Sequence, residues 1–87
     1  MNTVDVTVLG TDGSETKAKV SRDTMLTDLQ NLVGGYIEMV KPHQHRNLND
    51  DEIYIVNEEG LIHNLEPNPL AGGLVGDVVL MQEEDFE

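Results

Sequence analysis

Residues 29–38 read LQNLVGGYIE. Leucines and a valine at helical spacing run into two glycines, and the glycines run straight into an aromatic and a β-branched residue. A glycine pair cradles phosphate when it precedes a helix, because backbone N–H groups and the positive end of the dipole then point at the anion. Here the pair follows the helix and sits at its negative end, so the polarity is wrong for a phosphate loop. Gly34 instead falls just past the last helical residue, where a left-handed conformation suits glycine alone. Gly35 then lets the chain reverse at once into a strand over YIEMV, residues 36–40.

Upstream, SRDTMLTDLQNLV supplies the helix itself. Ser21, Asp23 or Thr24 is suited to cap it, and Asp23 and Asp28 lie near the positive end of the dipole. Met25, Leu29, Leu32, Val33 and Tyr36 form one apolar stripe, with Leu26 beside it. Further back, Val4, Val6 and Val8 alternate with Thr3, Asp5 and Thr7, the mark of a half-buried strand. Gly10-Thr11-Asp12-Gly13 makes a turn, and Thr16, Ala18 and Val20 alternate with Lys17 and Lys19, completing an antiparallel hairpin.

Downstream, KPHQHRNLNDDE (41–52) has no apolar periodicity and reads as an exposed loop of about 12 residues, a length that is often functional in a small domain. Ile53–Val56, a turn at 57–60 and Leu61–Asn64 read as a second hairpin. EPNPLAGGL (66–74), with its two prolines, crosses the surface without regular structure. VGDVVLM (75–81) is a final buried strand. The expected architecture is one α+β domain over residues 1–81, a single helix packed on a mixed four- to five-stranded sheet. The order is ββαβββ, β-grasp-like in the N-terminal half, with a solvated acidic tail over 82–87.

Composition narrows function. The 87 residues include one Phe, two Tyr, no Trp and no Cys, so the core is aliphatic and thiolate chemistry is absent. No apolar run approaches the ~20 residues that span a bilayer. The start lacks a basic region and carries Asp5 inside its apolar run, unlike a signal peptide. A soluble, cytoplasmic chain is expected. Seventeen acidic residues against five basic ones give a net charge of −12, a field that repels nucleic acid and anionic membranes. The acids can serve solubility, suit a high-salt host, or imitate a nucleic-acid backbone.

His43-Gln44-His45, with Asp50, Asp51 and Glu52 behind, has metal-binding residue types. No helix fixes a third ligand, and a solvated loop is the expected state. His63 is expected to point outward. No nucleophile has an activating neighbour, and the carboxylates form no distinct pair. The expectation is no enzyme, no catalytic residue, no metal and no cofactor.

Four phrases occur in order: LxxLVGGYIE at 29–38, IVNEEG at 55–60, NPLA at 68–71 and VGDVV at 75–79. Together they resemble a family of small domains of unknown function carried by phages, plasmids and other mobile elements. The resemblance implies a mobile-element origin and a small α+β fold, and it implies no activity, cofactor or catalytic residue. Tyr36 and Glu38 flank the glycine corner, where a partner can reach the backbone, although Tyr36 also fits the end of the core stripe. The expected function is a non-enzymatic accessory protein that binds a host or viral protein with a basic surface, itself suited to nucleic acid. Asp50, Asp51, Glu52, Glu58, Glu59 and the tail acids Glu83, Glu84 and Asp85 would form the docking face. The alternative is a small-ligand or nucleotide module using the Gly34-Gly35-Tyr36 corner together with the 41–52 loop.

Overall fold

Alternating valines make the first strand, and the structure, a computed structural model, describes residues 2–86. Strand β1 (Thr3–Leu9) turns into β2 (Glu15–Ser21), and Val4 lies opposite Val20 and Val6 opposite Ala18. Helix α1 (Met25–Val33) follows, then β3 (Ile37–Val40), β4 (Glu52–Asn57) and β5 (Val78–Gln82). The five strands form one sheet in the order β2-β1-β5-β4-β3. The expected ββαβββ order and the α+β class are both present.

The sheet is antiparallel at every pairing, which corrects the expected mixed sheet. The reason is the reach of the crossover. β2 and β3, joined through α1, run in the same direction but occupy opposite edges. Four strand spacings of ~4.8 Å separate them, about 19 Å, and a nine-residue helix with its two short connections spans that width. The parallel partners therefore never touch.

Met25, Leu29 and Val33 of α1 are buried against Val4, Val6, Val20, Ile53, Ile55, Val79 and Met81. Leu32 is half-buried, while Leu26 and Tyr36 lie outside this core, exposed by 57% and 66%. The stripe thus ends at Val33. Thr24 occupies the N-cap without a side-chain cap bond. Asp28 knits the junction instead, accepting from the Ser21 N–H at 2.9 Å and the Thr24 hydroxyl at 3.1 Å.

The glycine pair has separate tasks. Gly34 is left-handed, with φ 81° and ψ 22°. Both Gly34 and Gly35 N–H groups converge on the Gln30 carbonyl, at 2.8 and 3.0 Å. A Cβ at Gly34 would meet nothing within 4 Å, so Gly34→Ala tests backbone strain alone, and urea unfolding should register a loss of about 1 kcal/mol. At Gly35 a Cβ would lie 2.9 Å from the Asn57 amide nitrogen. That nitrogen donates to the Val33 carbonyl at 3.2 Å, tying the helix end to the end of β4.

The other face of the sheet holds a second core. Leu9, Leu48, Tyr54, Val56, Ala71 and Val78 are buried together, with Val40, Leu70, Leu74 and Leu80 against them. Among the described residues, no α-helix covers them. The loops at 41–51 and 58–77 do, which is why β4 is buried on both faces from Ile53 to Val56. Asn68 anchors this cover: its amide donates to the Leu9 and Gly76 carbonyls at 2.8 and 2.9 Å, and its oxygen accepts from the Leu70 N–H at 2.9 Å.

Two further expectations are corrected. Residues 61–64 form no strand. Local bonds from His63 N–H to Glu59 O (3.0 Å) and from Leu65 N–H to Gly60 O (3.0 Å) coil the segment into successive turns, and Asn64 closes it at φ 56°. β4 pairs with β5 instead. The acidic tail is also held to the domain over its described length. Glu83 N–H donates to Asp51 O at 2.8 Å, Asp85 pairs with Arg22 at 3.2 Å, and Phe86 packs against the helical core. Glu87 lies outside the described residues.

Burial raises the Tyr54 phenol above its ordinary value of 10.0, partly offset by the Asn47 side chain. The folded state therefore prefers the neutral phenol. Its contribution is full below about pH 10 and is lost as the pH climbs through the raised value. Thermal melts should show a stability decline above pH 10 that is smaller in Tyr54→Phe.

Candidate functional site

Strand β4 runs from one end of the domain to the other, and the acidic residues singled out in the sequence fall at its two ends. Asp50, Asp51 and Glu52 lead into it, with Glu83 and Asp85 nearby through their contacts to Asp51 and Arg22. Glu58 and Glu59 leave it, beside Tyr36 and Glu38. Six residues of strand put about 20 Å between the groups. The single acidic face expected from the sequence is therefore two separate poles.

At the first pole, among the described residues, only the tail acids Glu83 and Asp85 are paired with cations. Lys41 pairs with Glu83 at 3.2 Å and Arg22 with Asp85 at 3.2 Å, while Glu52 accepts from the Asn49 N–H at 3.0 Å. Lys19 is spent on Asp5 at 2.6 Å, holding that carboxyl below the usual range, and Lys17 donates to Thr7 at 2.9 Å.

The second pole is built on the 57–63 turn. Tyr36 O accepts from the Glu58 N–H at 2.8 Å, fixing the turn against the start of β3. Asn57 accepts from the Glu59 N–H at 2.8 Å. Leu61 and Ile62 then project into solvent, 80% and 76% exposed. On one side of the turn lies a cleft of about 520 Å³ lined by Gln30, Asn31, Gly34, Gly35, Tyr36, Asn57, Glu59 and His63. On the other, Leu61, Ile62, Leu74 and Val75 line a smaller cleft of about 290 Å³ with Glu38 and Glu58 on its rim. Neither lining includes a Lys or Arg. Three exposed apolar side chains, Tyr36, Leu61 and Ile62, thus stand among Glu38, Glu58 and Glu59. His63 pairs loosely with Glu59, at 3.4 Å.

The chain matches the domain of unknown function DUF3846 over residues 5–87. It belongs to that family. Comparison with curated proteins and with solved structures finds no match. The family description assigns no chemistry, so the site of this DUF3846 domain rests on its own geometry.

The alternative site anticipated from the sequence does not assemble. The Gly34-Gly35-Tyr36 corner lines the larger cleft of the second pole, whereas the 41–52 loop ends at the opposite end of β4, where His45, Arg46 and Asn47 face Pro69 and Gly72. His45 has a structural task there. Its Nε2 meets the Gly72 carbonyl at 2.7 Å, its Nδ1 accepts from the Asn47 N–H at 3.2 Å, and its ring stands edge-on to Tyr54 at 5.1 Å. Both ring nitrogens are engaged, so His43-Gln44-His45 does not present two free imidazoles. Among the described residues, no three His, Cys, Asp or Glu side chains gather in a way that could hold a metal, and no helix is long and apolar enough to cross a membrane.

Leu61 and Ile62 were hidden in the sequence because a strand over 61–64 would bury one of them. Two adjacent apolar residues break period-two alternation, and that was the available signal.

Proposed function

We propose that this DUF3846 domain is a non-enzymatic binding module, an acidic accessory protein of a phage or mobile element that docks on a basic host or viral protein in the cytoplasm. The observation that carries this reading is the second pole, where Tyr36, Leu61 and Ile62 stand exposed among acids with no Lys or Arg in either cleft lining. Aromatic and aliphatic anchors ringed by charge suit a partner presenting apolar side chains between lysines or arginines. The net charge of −12 supports rapid, salt-sensitive association. A partner whose basic surface otherwise serves nucleic acid fits this chemistry; direct binding of nucleic acid does not.

The test is a pull-down from host lysate at low and high salt, read by mass spectrometry. A Glu38→Lys/Glu58→Lys variant should lose a salt-sensitive partner that an Asp50→Lys/Asp51→Lys variant retains. Equal loss in both variants would reduce the effect to net charge and overturn the site. A second reading, a small-ligand module, draws support from the cleft beside Tyr36, whose amide and aromatic lining suits a small polar molecule. Without Lys or Arg, that lining offers a nucleotide's phosphates no counter-charge. Absence of any protein partner, together with a small molecule that raises the melting temperature, would favour that reading.

A further inference from the structure

We propose that the partner segment engages the second pole as an extended strand added to the outer edge of β3, with basic residues directed at Glu38. This rests on the docking reading above and specifies its geometry. β3 is an edge strand, paired only with β4. In an antiparallel ladder, opposed residues alternate between pairs that exchange hydrogen bonds and pairs that do not. Glu58 N–H donates to Tyr36 O, so Tyr36–Glu58 is a bonded pair. The register Ile37↔Asn57, Glu38↔Val56, Met39↔Ile55 and Val40↔Tyr54 then turns the N–H and C=O groups of Ile37 and Met39 away from β4.

The outward series is bounded on both sides. The Gly35 N–H is taken by Gln30 O at 3.0 Å and the Lys41 N–H by the Gln44 side chain at 2.8 Å. Ile37 and Met39 are left to receive a short strand. The incoming strand would alternate its side chains between the two faces of the sheet. One set would lie beside Ile37 and Met39, which pack against the helical core. The other would lie beside Glu38, on the rim of the cleft that holds Leu61 and Ile62. The opposite edge, β2, carries Lys17 and Lys19, the kind of residue that guards an edge against pairing. A second copy of the chain is disfavoured as occupant: it would bring Glu38 toward Glu38 between two bodies each of charge −12.

The experiment uses the full chain in low salt and a synthetic peptide of alternating valine and lysine. A second peptide of the same sequence, N-methylated on alternate residues in both registers, keeps charge and side chains but cannot pair. Strand addition predicts that the unmodified peptide binds at least about tenfold tighter than the methylated one, and that hydrogen exchange slows at the Ile37 and Met39 amides. Met39→Pro removes an outward N–H without touching the β3–β4 ladder, a placement edge strands tolerate. It also gives up the packing of the Met39 side chain on the helical core, so its melting temperature should fall by several degrees; at a temperature where it remains folded it should bind about tenfold more weakly. Equal binding of both peptides, or undiminished binding by a folded Met39→Pro, overturns strand addition while leaving the docking reading to its own pull-down. Failure of the peptide to bind or to protect either amide overturns strand addition as well. Peptide-independent, concentration-dependent dimerisation that protects both amides would assign the edge to self-association instead.

Discussion

Asn68→Ala is expected to destabilise the domain by about 3 kcal/mol, measured by urea unfolding. Asn68 is 2% exposed and its side chain makes three hydrogen bonds, to Leu9 O, Gly76 O and Leu70 N–H. Alanine leaves two buried carbonyls without their donor, and each such loss costs ~1 kcal/mol or more. The loop that Asn68 pins also carries Leu70, Ala71 and Leu74 onto the second core, so loosening it wets that face. For a domain of this size the melting temperature should fall by roughly 12–24 °C. Asn68→Asp is a sharper version. It keeps the acceptor for Leu70 but aims a carboxylate at two carbonyls, and it should be at least as damaging at neutral pH, with partial relief as the acid protonates. A change below ~0.5 kcal/mol in Asn68→Ala would mean that the loop is not pinned there.

Leu29→Ala is expected to cost a similar amount, about 3 kcal/mol, for a different reason. Leu29 is 0% exposed at the middle of α1, packed against both the β1–β2 and the β4–β5 parts of the sheet. Removing its methyl groups loses their burial and leaves a cavity that a short helix, tied at its end by Asn57 and at its start by Asp28, cannot close. The two substitutions lie on opposite faces of the sheet and share no partner. Their effects should add to within about 0.5 kcal/mol. Marked non-additivity would indicate that the two cores are coupled through β4, whose residues serve both.

The elements that follow a simple period were legible in the sequence. Val4, Val6 and Val8 placed β1, and the spacing of Met25, Leu29 and Val33 placed the buried side of α1. The polarity of Gly34 relative to the helix settled its left-handed turn. What misled was apolar content without a clear period. Leu61-Ile62 suggested a strand, but β4, its expected hairpin partner, is already flanked by β3 and β5. Ile53-Tyr54-Ile55-Val56 is apolar at every position, the signature of a strand covered on both faces. That run implied a second cover, and the two long loops were the only segments free to provide it. Asn68 escaped notice because the Asn-Pro that marks a turn also conceals a buried anchor.

The site was half legible. Tyr36, Glu38, Glu58 and Glu59 do share one end of the domain, since β3 and β4 are neighbours and the glycine corner abuts the turn. Asp50, Asp51 and Glu52 do not, because a strand stands between the two groups. Charge counts carry no geometry, and so a composition of −12 described one face where there are two poles.

The middle place in the sheet belongs to β5, the last of the five described strands. Thr7 pairs with Leu80 and Tyr54 with Leu80 from the other side, so neither hairpin touches its eventual neighbour until residues 78–82 arrive. During synthesis the β1–β2 pair and the β3–β4 pair must wait as separate, marginal units with apolar edges open to the wrong partner. Contacts that join the first strand to the last also carry a high loop-closure cost, and domains of that kind fold over milliseconds to seconds rather than microseconds. Like charge on every nascent copy is then a kinetic safeguard: it keeps half-made sheets apart for the interval in which their centre is missing.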